Sequence, residues 1–189
     1  MARLFFALDL PARVRRQLLR LQAPVPGARW QNDAQLHLTL LFLGRVTEQA
    51  VPEVCAAARD LPVARFDLEV RGLGCFGRPE TPRNLWAGVQ PTAPVVALND
   101  ALRQRLAPLG YELETRPFRP HITLARFRQR RGSVAPVLAE HDQDTFGLVS
   151  VDNFVLLEST QGPHGSVYTV VERFGLRNSV DEIEDAHQR

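Results

Sequence analysis

A four-residue pattern occurs twice in this chain, as His37-Leu38-Thr39-Leu40 and as His121-Ile122-Thr123-Leu124, 84 residues apart and each inside an apolar run. Side chains of an extended strand alternate faces, so each copy sets an imidazole and a hydroxyl on one face, roughly 7 Å apart. The chain has five histidines, and two of them share this frame, which coincidence seldom supplies. A repeat of this kind requires two similar halves, each carrying its own motif strand.

The offset of about 80 to 84 residues persists outside the motifs. Leu4 to Pro11 precedes a helical stretch through Leu21, and Leu85 to Pro91 precedes another through Leu106. Val14, Leu18, Leu19 and Leu21 recur with helical spacing in the first, as do Val95, Val96, Leu98, Leu102 and Leu106 in the second, with arginines on the other side. A polar turn then leads into a motif strand, Gln35 to Gly44 in one half and Phe118 to Phe127 in the other. Thr47 to Leu61 has helical periodicity, with Ser133 to Glu140 as a shorter counterpart. Phe66 to Val70 alternates as a half-buried strand does, and Phe146 to Leu157 reads as one strand of the same kind. Gly162-Pro163-His164-Gly165 closes a hairpin into Ser166 to Phe174.

The expected fold is therefore α+β, with two pseudo-symmetric lobes from an internal duplication. Each lobe is a small, mostly antiparallel sheet covered by helices, with a central cleft between them. Residues 1–176 are expected as a single bilobal domain with interleaved lobes and approximate repeats 3–80 and 84–175. Residues 177–189, with Asp181, Glu182, Glu184 and Asp185, read as an acidic flexible tail.

Composition narrows the class. Hydrophobic residues at 44% and charged residues at 23% suit a soluble globular chain rather than a fibre or a disordered one. Asp9 interrupts the apolar N-terminal run and no small-residue cleavage site follows it, so no secretory signal is expected. No run approaches the roughly 20 apolar residues of a membrane span. The expectation is a cytoplasmic monomer without membrane contact. Cys55 and Cys75 lack metal-type spacing, which argues against a disulfide framework or a structural zinc site.

The net charge is +2, and all 23 basic residues are arginines. Arg116, Arg119, Arg126, Arg128, Arg130 and Arg131 crowd around the second motif, where a planar guanidinium suits phosphate oxygens. The modest charge implies few phosphate contacts and a shallow salt dependence.

If the motif strands are innermost, His37 and His121 face each other across the cleft, with Thr39 and Thr123 beside them. Displacement at phosphorus places entering and leaving oxygens in line, so a proton acceptor and a proton donor belong on opposite sides. An imidazole pKa near 6.5 lets one ring act as base and the other as acid, each transfer worth about 10²–10⁴-fold. Hydroxyls or an arginine stabilise the charge on the non-bridging oxygens. No cofactor or metal is required.

These residues match a known pattern. His37-x-Thr39 followed by Phe42-Leu43-Gly44, and Pro120-His121-Ile122-Thr123-Leu124-Ala125-Arg126, resemble the two-histidine phosphoesterase superfamily, and within it the RNA 2′,3′-cyclic phosphodiesterases, also called 2′-5′ RNA ligases. The resemblance runs from Arg3 to Phe174. It implies metal-independent opening of an RNA 2′,3′-cyclic phosphate end to a 2′-phosphate, with reversible 2′-5′ ligation as a related reaction. It implies His121 as the base that activates water, His37 as the acid that protonates O3′, and Arg126 as a phosphate contact alongside Thr39 and Thr123. Strict alternation sends Arg126 to the face opposite His121, so that role requires a bulge or a strand end near Ala125.

Phe5, Trp30, Phe76 and Phe118 are candidates to stack on a terminal base and equally suit core packing. His141, His164 and His187 read as exposed bystanders. Two other functions stay open on sequence: a metal-dependent hydrolase using the two histidines with Asp9, which lacks the usual local ligand pair, and a non-catalytic RNA-end or nucleotide-binding module.

Overall fold

The computed structural model describes residues 1–178. In chain order its elements are β1 (Ala2–Asp9), α1 (Ala12–Leu19), β2 (Arg29–Trp30), β3 (His37–Val46), α2 (Val51–Ala58), β4 (Phe66–Arg78), β5 (Thr81–Gln90), α3 (Ala93–Leu106), β6 (Ile122–Arg126), α4 (Ala135–Glu140), β7 (Thr145–Val151), β8 (Asn153–Gly162) and β9 (Gly165–Gly175). Proline starts the helices. Pro11 precedes α1, while Pro52, Pro94 and Pro136 stand in the first turns of α2, α3 and α4, where a missing N–H costs nothing and φ is already helical. Burial follows helical spacing, with Val14 and Leu18 on α1 and Val95, Leu98, Leu102 and Leu106 on α3.

The strands form one sheet in the order β7-β4-β5-β6-β3-β1-β8-β9, with β2 added to β6, and every ladder within it is antiparallel. The two expected small sheets are its halves. One half is β3-β1-β8-β9 and the other β6-β5-β4-β7, joined at the motif strands through the pair Leu38 and Ile122. The halves exchange elements: β4 follows the first motif yet pairs with β5, while β8 follows the second motif yet pairs with β1. Helices cross over as well, since Arg13 of α1 donates to the Leu148 carbonyl of β7 at 2.7 Å and Asn99 of α3 donates to the Leu40 carbonyl of β3 at 2.6 Å. Each half-sheet is therefore bonded to a helix that follows a strand of the other.

Phe146 to Leu157, expected as one strand, is two. Asp152 breaks the run, and its carbonyl accepts from the Leu176 N–H. β7 before the break lies at the edge of one half-sheet and β8 after it enters the other. Their shared apolar character hid the break. The second motif strand is shorter than expected, beginning at Ile122 rather than Phe118. Arg177, where the acidic tail was expected to begin, exchanges backbone hydrogen bonds with Val63 and Arg65; the rest of that expectation, from residue 179, lies outside the described residues.

β1 buries Leu4 through Leu8 without alternation, because both of its faces are covered. Leu4, Phe6 and Leu8 join the main core beneath the helices, and Phe5 and Ala7 pack with Val155, Leu157 and Tyr168 on the cleft side.

Candidate active site

The Leu38 and Ile122 pair sits at the centre of the sheet with both side chains fully buried in the core. Extending this antiparallel register by one residue sets His37 against Thr123 and Thr39 against His121, all four on the opposite, cleft face. A local two-fold runs through the pair. The histidines are then diagonal neighbours about 7–8 Å apart, their Cβ atoms somewhat closer, a spacing that suits one tetrahedral anion held between two rings.

Each imidazole is held the same way. His37 Nδ1 donates to the Gln35 carbonyl at 2.7 Å, and His121 Nδ1 donates to the Arg119 carbonyl at 2.6 Å. A carbonyl only accepts, so both rings carry their proton on Nδ1 and leave Nε2 as the lone-pair nitrogen. His37 Nε2 accepts from the Thr39 hydroxyl at 2.8 Å. Gln35 is itself fixed by a capping box: its N–H donates to Asn32 Oδ1, and its Oε1 accepts from the Asn32 N–H, both at 3.0 Å. Its amide then donates to the Ser166 carbonyl of the β8–β9 hairpin at 3.0 Å.

Aromatic rings wall both sites. His37 lies 5.1 Å from Phe5 and 5.1 Å, edge to face, from Tyr168. His121 lies 4.8 Å from Phe76 and 6.1 Å from Trp86. Trp86 lies against Gly74 of the neighbouring strand, where a Cβ would come within 2.4 Å of the indole. The Arg119 guanidinium stands 5.3 Å above the Phe76 ring.

Burial pushes the His37 imidazole from 6.5 down to about 4, with Arg126 and His121 pushing the same way and the Gln35 carbonyl and Asp9 pulling upward. Burial also lowers His121, helped by Arg126 and Arg119 and opposed by the Arg119 carbonyl. Both shifts favour the neutral imidazole at neutral pH. Asp9 is the cross-strand partner of His37 and is paired with Arg173 at 2.8 Å.

Arg126 reaches the cleft through a bulge. In the β5–β6 ladder Trp86 opposes Thr123 and Leu85 opposes Ala125, so Leu124 is the extra residue, and Arg126 returns to the face of His121 and Thr123. Its charge acts on both histidines. Of the other arginines near the second motif, Arg119 joins the site, Arg116 is bonded to Glu114, and Arg128, Arg130 and Arg131 follow on exposed positions.

Of the four rings that the sequence offered for stacking, Phe5 and Phe76 pack on the histidines, and Trp30 pairs with Ala125 and packs against the core. Phe118 joins Phe76, Trp86, Arg71, Arg119 and His121 around a cavity of about 390 Å³ beside the second histidine. Sequence reading missed Gln35, Trp86 and Tyr168; the pattern Asn32-x-x-Gln35 was the available signal for the first. His141 bonds Asp144 at 2.7 Å, His164 is exposed in its turn, and His187 lies outside the described residues. Among the described residues, no three His, Cys, Asp or Glu side chains cluster so as to hold a metal ion. No described helix is long and apolar enough to cross a membrane.

A duplicated α+β fold carrying one His-x-Thr half-site per repeat is the arrangement of the two-histidine phosphoesterases, as the motifs and their flanks implied. The chain belongs to the LigT-like phosphoesterase family, whose pattern matches residues 8–86 and again 89–168. It is 39% identical over 187 residues to an RNA 2′,3′-cyclic phosphodiesterase of Thermus thermophilus, covering 93% of this chain and 90% of that protein. It is 35% identical to that of Escherichia coli, covering 92% and 96%. Among solved structures, a protein of Thermus thermophilus superposes with a TM-score of 0.78 at 34% identity, covering 94% of this chain and 99% of that one. Escherichia coli LigT complexed with 3′-AMP does so with 0.77 at 30%, covering 93% and 98%.

Proposed function

We propose that this chain opens RNA 2′,3′-cyclic phosphate ends to 2′-phosphates by metal-independent acid-base catalysis between His37 and His121. The observation that carries this reading is the matched pair of imidazoles: each is locked through Nδ1 to the carbonyl two residues upstream, and each keeps its Nε2 lone pair. The names of the relatives, RNA 2′,3′-cyclic phosphodiesterases, support the substrate class.

The step balances with one water. His121 Nε2 takes a proton as the water oxygen bonds to phosphorus; the P–O3′ bond breaks, and His37 Nε2 gives a proton to O3′. Both rings favour the neutral form without ligand, so the proton on His37 arrives with the anion, because a negative charge within about 4–6 Å favours the imidazolium. Arg126 lowers both rings, but Asp9 raises His37 while Arg119 lowers His121; this difference in fixed charge supports His37 as the acid. Thr39, Thr123 and Arg126 face the non-bridging oxygens, where donors stabilise the pentacoordinate state. Ligation to a 2′-5′ linkage is the same chemistry with a 5′-hydroxyl exchanged for water, run through the same residues.

The test is a short oligonucleotide with a cyclic end, incubated with the protein in a chelator. The expected product is the 2′-phosphate. His37→Ala and His121→Ala should each cut turnover by about 10²–10⁴-fold while nucleotide affinity largely holds. Retained turnover in both variants, or activity that requires added metal, overturns the mechanism; a 3′-phosphate product overturns the choice of leaving oxygen.

A further inference from the structure

The duplicated strands carry a second matched pair of positions, and its members differ in chemistry. Leu40 is the extra residue between Thr39 and Leu41 in the β1–β3 ladder, as Leu124 is in the other repeat. Both bulges return the residue three past the threonine to the cleft face. That residue is Arg126 in one repeat and Phe42 in the other, related by the same 84-residue offset. The Leu40 carbonyl at the bulge accepts from the buried Asn99, so the geometry is anchored from the core.

Phe42 is 61% exposed, unusual for a large apolar side chain on the face that carries the two histidines. It begins an apolar row across four strands, in which it opposes Phe5, Phe5 opposes Leu157, and Leu157 opposes Val170. Phe5 and Leu157 are buried, and the two ends, Phe42 and Val170, stand open at 61% and 48%. The Phe5 ring lies 5.5 Å from Phe42 and 5.1 Å from His37, so the exposed ring is one aromatic contact away from the imidazole.

We propose that Phe42 is the platform on which the base of the nucleotide carrying the cyclic phosphate stacks. This rests on the functional reading above. O3′ stays on the ribose when its bond to phosphorus breaks and takes its proton from His37, so that ribose lies toward the half-sheet of β3 and β1. Phe42 is the exposed ring of that half-sheet. No member of the row has a hydrogen-bonding side chain, so it meets the face of a base and does not read the edge. The site therefore requires a base and accepts any of the four, with preferences set by stacking area. Within the duplication, one bulge position serves the phosphate and its counterpart serves the base.

The experiment compares kcat/KM for adenosine and uridine 2′,3′-cyclic phosphates with that for the base-free 2,3-cyclic phosphate of 1-O-methylribose. The parent protein should prefer the nucleosides by about 5- to 150-fold, the range that base–aromatic stacking supplies, with less than about tenfold between the two bases. Phe42→Ala should collapse the preference through KM, and Phe42→Trp should restore it. A parent that opens all three substrates with a preference unmoved by Phe42→Ala overturns this inference alone. So does a preference lost in Phe76→Ala instead, which places the base in the cavity beside His121. A parent that opens none overturns the functional reading and this inference with it.

Discussion

Replacing His37 with asparagine removes a ring that the folded protein keeps neutral well below its ordinary range. Its Nδ1–H is committed to the Gln35 carbonyl, its Nε2 accepts from Thr39, and Phe5 and Tyr168 close around it. A proton on Nε2 reverses the Thr39 hydrogen bond, the hydroxyl then accepting, and puts a charge among these rings, near Arg126. The folded pKa is about 4 against 6.5 for the free imidazole. A depressed histidine contributes stability that is complete above the unfolded value and is lost as pH falls from there to the folded value. Between pH 7.5 and 4.5 the unfolded chain takes up nearly one proton at this position and the folded chain only a fraction of one, a loss of about 2–3 kcal/mol. Carboxylates also titrate in this range, and His121 adds a loss of the same sign, but both persist in His37→Asn and cancel in the comparison. Urea unfolding of parent and variant at the two pH values should therefore show the parent losing about 2–3 kcal/mol more, equivalent to about 4–12 °C in Tm. Equal losses in the two proteins, or an NMR titration placing the ligand-free His37 near 6.5, would refute the burial argument. Added inorganic phosphate should move that titration upward, since an anion between the rings favours the imidazolium.

Arg126→Ala removes a cation that depresses both imidazoles, so both NMR-detected pKa values should rise while kcat/KM falls by roughly 10²-fold; an unchanged His37 titration would place Arg126 outside the site. Gly74→Ala drives a Cβ to within 2.4 Å of the Trp86 ring, which should cost about 1–3 kcal/mol and alter tryptophan fluorescence. A variant with parental stability and spectrum would show that the indole does not rest there. Asn99→Ala leaves the Leu40 carbonyl and the Arg103 guanidinium without their shared partner, for an expected loss of about 1–3 kcal/mol in urea unfolding; no loss would mean that the bulge needs no anchor.

Period-two alternation was enough to place His37 with Thr39 and His121 with Thr123 on one face each, and helical spacing located all four helices. Partner choice was not legible. Phe66 to Val70 alternates identically whether it joins its own repeat or the other, so the exchange of β4 and β8 between half-sheets left no mark on the hydrophobic pattern. The bulges at Leu40 and Leu124 hide for a related reason: Leu40, Leu41, Leu124 and Ala125 are all buried, and two consecutive apolar residues look the same in a bulge as in a strand covered on both faces. Parity alone therefore sent Arg126 to the wrong side and gave no reason to single out Phe42. Tyr168 reaches His37 from a hairpin more than a hundred residues away, through sheet register that no local pattern encodes.

In-line displacement requires the two imidazoles to differ at the moment of attack, although duplication gives them the same backbone, the same tautomer-fixing carbonyl and the same threonine. The difference comes from residues outside the repeated motif. β1 brings Asp9 opposite His37, while the segment entering β6 brings Arg119 to His121; the bulges then put Arg126 on one strand and Phe42 on the other. A site that is two-fold in backbone becomes one-fold in charge. In the mechanism proposed above, direction is then set by neighbours that can change without touching either histidine. Exchanging the charges around the two rings, with both motifs intact, is the change that should exchange the acid and base roles proposed for them.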